Sequence, residues 1–253
     1  PYLTGVTDSF VINKSWLCSK SPLWAVTDPW TRAIMEEKGL PQDRLRVTGF
    51  PVNPVLGALA KEHPLSWKEG EPFRVLYFAQ RSARHARAEL AGMLDANPAL
   101  HVTCILGRRF RRIYPRIRDL RARYGRRLTV RGWTRRVPSY LAASHVVVGK
   151  AGGATVHEVL AAARPMLVNF LLPGQEEGNT RLLEKLGGGG HVPEVRALAS
   201  ALQEMMADGG AQWRRMHENL LRAGMTGGSG RIADLALKLA EEGFAISPRL
   251  NGL

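Results

Sequence analysis

"HVVVGKAGGATVHEVLAAARPMLVNF", residues 145–170, joins a continuous apolar run, a glycine pair, an amphipathic stretch and a second apolar run. Val146, Val147 and Val148 read as a strand covered on both faces. Val156, Val159, Leu160 and Ala163 fall on one face of the helix that follows, and Thr155 and Glu158 share the other. Gly152 and Gly153 form the corner between strand and helix. A chain turning there leaves backbone N–H groups unpaired at the positive end of the helix dipole, which makes the corner a place for an anion. Glycine at both positions lets a diphosphate approach the backbone closely, and Glu158, one turn in, is placed to accept from ribose hydroxyls. The same residues have a second reading: Thr155-x-x-Glu158 fits a capping box, whose side chains only satisfy helix N–H groups.

Outward from this corner the pattern repeats. Strand-like runs occur at "LWAV", "LRVTGF", "FRVLYF", "HVTCIL", "LTVRGW", "HVVVG" and "PMLVNF", separated by helix-length segments such as the one opened by Asp28 and Pro29 and stopped by Gly39. This cadence predicts an α/β fold with doubly wound, Rossmann-like parallel sheets, whose ligands bind beyond the carboxyl ends of the strands. After Gly190 the pattern is nearly all helical. "PVNPVLGALAKEHPLSWKEGEP", residues 51–72, is rich in Pro and Gly and lacks strand periodicity. The expected organisation is therefore the truncated end of an N-terminal lobe at 1–55, an interlobe joint at 56–72 and a complete domain with a helical tail at 73–253. The chain opens on Pro1, in a stretch that already reads as a strand, so its natural N-terminus is expected upstream.

"LLPGQEEGN", residues 171–179, follows the next strand and sets Gln175, Glu176 and Glu177 at another helix start. Acids at a helix N-terminus are stabilised by the dipole alone. An amide beside a carboxylate at the carboxyl end of a strand also suits recognition of sugar hydroxyls. Together the two loops read as a nucleotide-sugar site.

Composition limits the alternatives. With 253 residues, 45% hydrophobic and 23% charged, the chain has a globular composition and enough residues to bury a core. No apolar run reaches the roughly 18 residues of a membrane span, and the first residues lack a signal-peptide pattern. Cys18 and Cys104 form neither a disulfide framework nor a metal signature, which fits a reducing cytoplasm. The net charge of +14 calls for a polyanionic neighbour. Its main source is "GRRFRRIYPRIRDLRARYGRR", residues 107–127, ten arginines in a helix-length segment. Ile113, Ile117, Leu120 and Tyr124 suit one packed face, which makes a solvated helix one reading. An anionic bilayer is the other, at roughly 1 kcal/mol for each nearby Lys or Arg. Single-stranded nucleic acid is disfavoured because the segment lacks a stacking surface.

The motifs "GVTD" with Trp16, "DRLRVTGFPVNP", "VRGW", the run 138–170, and "PGQEEGN" resemble those of the family-28 GT-B glycosyltransferases, the group of the MurG-type transferases and the diacylglycerol glycosyl synthases. The resemblance covers nearly the whole chain and implies two Rossmann lobes around a cleft, with a UDP-sugar donor on the C-terminal lobe and a lipid acceptor on the N-terminal one. It implies Gly152, Gly153, Ala154 and Thr155 around the diphosphate, Glu158 on the ribose, Gln175 and Glu176 on the sugar, and Trp133 and Thr134 on the uracil. It also implies a metal-independent, inverting transfer with no cofactor beyond the donor itself, performed by a peripheral enzyme on the inner face of the membrane. Asp8 is the acid it places on the acceptor side, as a catalytic candidate, although a turn aspartate after a strand reads equally well. The family's base belongs to a loop upstream of Pro1.

Three departures stand out. The family's glycine-rich loop after the first strand of the C-terminal lobe is "AQRSARHARAEL", residues 79–90, with Ser82 and neighbouring arginines in place of glycine. The arginine of "PVR" is Asn53, and "HPxW" appears as Asn13-Lys14-Ser15-Trp16. These changes leave a second function class open, a degenerate or subunit-type relative that binds UDP-sugar without independent activity. A third class, an arginine-rich nucleic-acid binder on the same fold, is disfavoured.

Overall fold

The computed structural model describes residues 2–62 and 65–242, with the side chains of 60–62, 175 and 242 left aside. Two parallel sheets carry the fold. A three-stranded sheet is ordered β1(Leu3–Gly5), β2(Leu23–Val26), β3(Leu45–Val47). A six-stranded sheet contains β4(Phe73–Phe78), β5(Leu100–Ile105), β6(Leu128–Arg131), β7(Val146–Lys150), β8(Met166–Phe170) and β9(Gly189–His191), in the order β6-β5-β4-β7-β8-β9. Counted from β4 this is 3-2-1-4-5-6, the doubly wound order whose strands reverse direction of progression between the first and the fourth. The reversal lies between β4 and β7, paired at Val75–Val146 through Tyr77–Val148.

All seven strand runs anticipated from the sequence are strands, each placing apolar side chains in a core, although in β3 only Leu45 is buried. The order and parallel pairing bear out the doubly wound, Rossmann-like α/β fold expected from the cadence. Around the small sheet, Asp28 caps α2(Pro29–Glu37) by accepting from Thr31 N–H at 2.8 Å, with Pro29 at the first helical position. Val6, Trp24, Val26, Met35 and Leu45 form its core. α1(Lys14–Leu17) lies between β1 and β2.

The segment read as an interlobe joint begins with a helix, α3(Val55–Glu62). Val52 and Leu56 pack into the core beneath the large sheet, with Leu76, Val147, Val156 and Leu160. The other face of that sheet is covered by α4(Ala83–Ala96), α6(Arg118–Tyr124) and the tail helices α10(Val195–Met206) and α11(Ala211–Ala223). The last helix, α12(Gly228–Glu242), returns to the start of the joint: Ser229 Oγ donates to Val52 O at 2.6 Å and Arg231 Nε to Thr48 O at 2.6 Å.

The arginine-rich segment is not one helix. Gly107, Pro115 and Gly125 divide it into α5(Phe110–Ile113), α6 and three short 3₁₀ turns. Gly107 and Gly125 have φ of +57° and +56°, which stop helical propagation where an L side chain would be strained. Ile113, Ile117, Leu120 and Tyr124 are nevertheless buried, as the packed-face reading requires.

Candidate functional site

The carboxyl edge of the large sheet at its reversal point is framed by two helix N-termini. α4 begins after the loop 79–82, and α8(Gly153–Ala161) begins after Gly152. Gly152 is the N-cap of α8, with φ −67° and ψ 140°, and no side chain caps the helix. The capping box is thus absent: the helix starts two residues before Thr155, which leaves its first N–H groups without a side-chain acceptor. Val156, Val159 and Leu160 are buried, whereas Ala154 is exposed and Thr155 and Glu158 are half-buried on the remaining stripe. Glu158 makes no hydrogen bond or ion pair among the described residues, and burial raises its pKa above the ordinary carboxylate value. A half-buried, unpartnered carboxylate beside an uncapped helix start is an acceptor awaiting donors.

Lys150, at the end of β7, escaped the sequence reading. A Cβ added at Gly152 would lie 3.9 Å from Lys150 Nζ, so the ammonium stands at the mouth of the glycine corner. It is paired with Glu176. The second carboxylate oxygen of Glu176 accepts from Leu172 N–H at 2.7 Å, and the residue is buried. Both oxygens of Glu176 are therefore engaged within the protein, which leaves direct sugar contact dependent on release of Lys150. The Gln175 side chain lies outside the described residues. Gly174, with φ +93° and ψ −109°, supplies the turn that only glycine adopts without strain and starts α9(Gln175–Lys185). From the same motif Asn179 is buried and donates to Ala151 O at 3.0 Å, tying α9 to the corner.

The glycine-free loop after β4 is braced instead. Arg109 donates to Ala79 O at 3.0 Å and Arg81 O at 3.3 Å. Ser82 caps α4, accepting from His85 N–H at 3.4 Å, with its hydroxyl 2.8 Å from His85 Nδ1. Arg81 lies over the Phe170 ring at 5.5 Å and reaches Glu89 at 3.4 Å. A cavity of about 380 Å³ opens between this loop and the end of β8, lined by Arg81, Ser82, His85, Arg109, Arg112 and Phe170. The structure thus brings Ser82 to the same edge as the β7–α8 corner. Trp133 and Thr134 lie in the loop after β6, on that edge but beyond β5. Trp133 is 60% exposed with Arg135 at 5.6 Å over its ring, and Thr134 Oγ accepts from Arg136 N–H at 3.0 Å.

Asp8 is placed differently. It is 2% exposed, its carboxylate accepts from Trp16 Nε1 at 2.7 Å, and its carbonyl accepts from Thr27 Oγ at 3.2 Å. It belongs to the hydrogen-bonded interior of the small lobe rather than to an open surface. The loop after it packs on the donor-side helices: Ser9 Oγ is 3.3 Å from His157 Nε2, and Phe50 stacks on the His157 ring at 4.4 Å. Gly178 admits that loop, because a Cβ there would meet Ser9 O at 1.9 Å.

No family model matches the chain. In sequence it is similar to the processive diacylglycerol beta-glucosyltransferase of Staphylococcus carnosus, with 24% identity over 213 residues, 82% of this chain and 54% of that protein. The chain spans about half the length of that curated relative. In structure it is similar to MurG of Acinetobacter baumannii, with TM-score 0.66 and 15% identity over 94% of this chain and 67% of that one. It is also similar to the UDP-GlcNAc 2-epimerase of Neisseria meningitidis bound to UDP-GlcNAc, with TM-score 0.64 and 15% identity over 86% of this chain and 61% of that one. Transfer and epimerisation share this fold, so the fold does not choose between them. Among the described residues no helix is long and apolar enough to cross a membrane. The curated relatives are family-28 glycosyltransferases and the fold is that of the GT-B glycosyltransferases, which bears out the resemblance carried by the sequence motifs.

Proposed function

We propose that the chain is the donor-binding part of a glycosyltransferase that moves a hexose or N-acetylhexosamine from a UDP-sugar to a membrane lipid. The observation that carries this reading is the uncapped N-terminus of α8 beside half-buried, unpartnered Glu158 at the reversal point of the sheet. The diacylglycerol named in the relative from S. carnosus favours transfer to a lipid over epimerisation.

In this reading the diphosphate lies across the N–H groups of Gly153, Ala154 and Thr155, with Lys150 and the Arg81–Ser82 loop completing the cradle. Glu158 accepts from the ribose hydroxyls, and Trp133 and Thr134 hold the uracil. As the glycosidic bond breaks, negative charge grows on the departing diphosphate. Fixed N–H dipoles and the Lys150 ammonium stabilise that charge without reorganisation, and no metal is needed. Gln175 faces the sugar in this reading, whereas Glu176 acts through Lys150 as a positioning residue. Displacement inverts the anomeric centre, with the base supplied by the acceptor lobe. Asp8, tied to Trp16, supports that lobe and is not assigned as the base.

Residues 79–140 hold sixteen arginines against Glu89, Asp95 and Asp119, so almost all of the chain's +14 resides there. The loops 79–82 and 106–116 lie at the carboxyl edge, and this surface meets an anionic bilayer in the proposed reading, with the enzyme peripheral on the inner face of the membrane. Calorimetric titration with UDP and UDP-hexoses tests the donor site. Binding that is lost in Glu158→Ala, with UDP released only when a lipid acceptor is present and no altered free sugar among the products, supports transfer. Release of an epimerised free sugar would support the other reaction.

A further inference from the structure

Among the described residues, one face of the large sheet is left partly uncovered on the edge opposite the donor cradle. Val102, Cys104, Leu128 and Val130 of β5 and β6 are buried beneath α4 and α6. On the other face His101, Thr103 and Thr129 are only half-buried, and Thr103 and Thr129 are register partners. A strand covered by helices on both sides would carry apolar residues at these positions. α7(Val137–Ala143) covers only part of the face. The result is a cavity of about 310 Å³, walled at the amino ends of the strands by Arg74, His101, Arg126 and Arg127 and on the helix side by Tyr140. No Asp or Glu lines it.

A solvated surface patch leaves its arginines loose, and two of these are held. Arg74 Nε donates to Ala143 O at 2.6 Å, and its Nη2 lies 3.1 Å from His145 Nε2. Arg127 Nη1 donates to Leu94 O at 2.9 Å and Asn97 O at 3.1 Å, with its guanidinium 5.4 Å over the Tyr124 ring. Each fixed fork keeps further N–H donors. Arg126 and the hydroxyls of Thr103, Thr129 and Tyr140 make no hydrogen bond among the described residues. Burial lowers the pKa of His101, and the neighbouring Arg127 and Arg74 lower it further.

We propose that this cavity is a second anion site, which binds a phosphate group, free or carried by a small molecule or lipid headgroup. Pre-oriented guanidinium forks with two adjacent hydroxyls match the several acceptor oxygens of phosphate. The site lies at the amino edge of the strands, away from the glycine corner, and does not depend on the donor reading.

The test titrates the whole chain with inorganic phosphate and with diphosphate, with and without UDP. Thr103→Val/Thr129→Val removes the hydroxyls at nearly constant volume, and Arg126→Ala removes an exposed side chain. Circular dichroism and the unfolding midpoint report folding of each variant. Arg196→Ala on α10 is the charge-matched control. One phosphate or diphosphate per chain, weakened at least tenfold by both site variants, unchanged by the control and insensitive to UDP, is the expected result. Vesicles of phosphatidic acid compared with phosphatidylcholine form the second arm. Binding confined to phosphatidic acid and lost in the same variants assigns the site to a headgroup. Equal affinity in the folded site variants, full displacement by UDP, or no binding to any of the three probes overturns the proposal.

Discussion

Replacement of Glu176 separates a positioning role from direct sugar contact. Its side chain is 8% exposed, one oxygen pairs with Lys150, itself 25% exposed, and the other accepts from Leu172 N–H at 2.7 Å. Breaking a buried pair from one side costs about 3–5 kcal/mol, and hydrogen bonds to a charged group contribute about 1.5–3 kcal/mol each. Partial exposure of Lys150 puts Glu176→Ala at the low end, about 3 kcal/mol. Lys150→Met keeps the bond to Leu172 but strands the buried Glu176 carboxylate without its cation, and should also cost about 3 kcal/mol. Because both changes remove one shared contact, the double variant should cost little more than Glu176→Ala alone, a coupling of about 2–3 kcal/mol. Urea unfolding followed by circular dichroism measures each; at an m-value near 3 kcal/mol/M, such a loss moves the midpoint by about 1 M. Glu176→Gln should also weaken UDP itself, through Lys150, and not only the preference among UDP-sugars. A cost below about 1 kcal/mol with no coupling, together with a change in sugar preference at constant UDP affinity, would refute the positioning role.

Glu158→Gln should raise apo stability at neutral pH while it weakens UDP. Burial raises the folded pKa of Glu158, so its ionised form is destabilising above the unfolded pKa, and the penalty is relieved as pH falls through the folded value; an unfolding midpoint that drops in the variant contradicts this. His145 and His157 are buried with pKa values lowered to about 3 and about 4, mainly by desolvation. The unfolded chain binds more protons than the native one below pH 6.5, so stability should decline from there toward pH 4 by about 1.4 kcal/mol per pH unit per histidine, which urea midpoints across that range will show. Gly178→Ala sets a Cβ 1.9 Å from Ser9 O and 2.7 Å from Val11 N and should cost about 3 kcal/mol or more in unfolding experiments, because backbone on both sides must move. Arg109→Ala frees the carbonyls of Ala79 and Arg81 and should weaken UDP while leaving circular dichroism unchanged.

The strands and the glycine corner were legible because they are written in local pattern: uninterrupted valines at 146–148 and a 3.6-residue stripe through Val156 and Leu160. The cap of α8 has two readings in the sequence, since Thr155 and Glu158 also satisfy a capping rule that Gly152 pre-empts three residues earlier. β9 was invisible to periodicity because it is built on Gly189 and Gly190. Its glycine is required by approach rather than propensity, a Cβ at Gly189 lying 1.8 Å from Met166 O. The interruption of the arginine segment was available in Gly107, Pro115 and Gly125, which the even arginine spacing obscured. Lys150 with Glu176 and Arg109 with the loop at 79–81 join residues 26 to 30 positions apart, and only the packed sheet edge brings them together. Burial of Asp8 against Trp16 is likewise a property of the folded small lobe.

The most direct measurement is a crystal structure of the chain with UDP. The account predicts the diphosphate on the N–H groups of Gly153 to Thr155 with Lys150 alongside and the ribose hydroxyls on Glu158. UDP bound elsewhere, or an α8 N-terminus empty at saturating UDP, would contradict it.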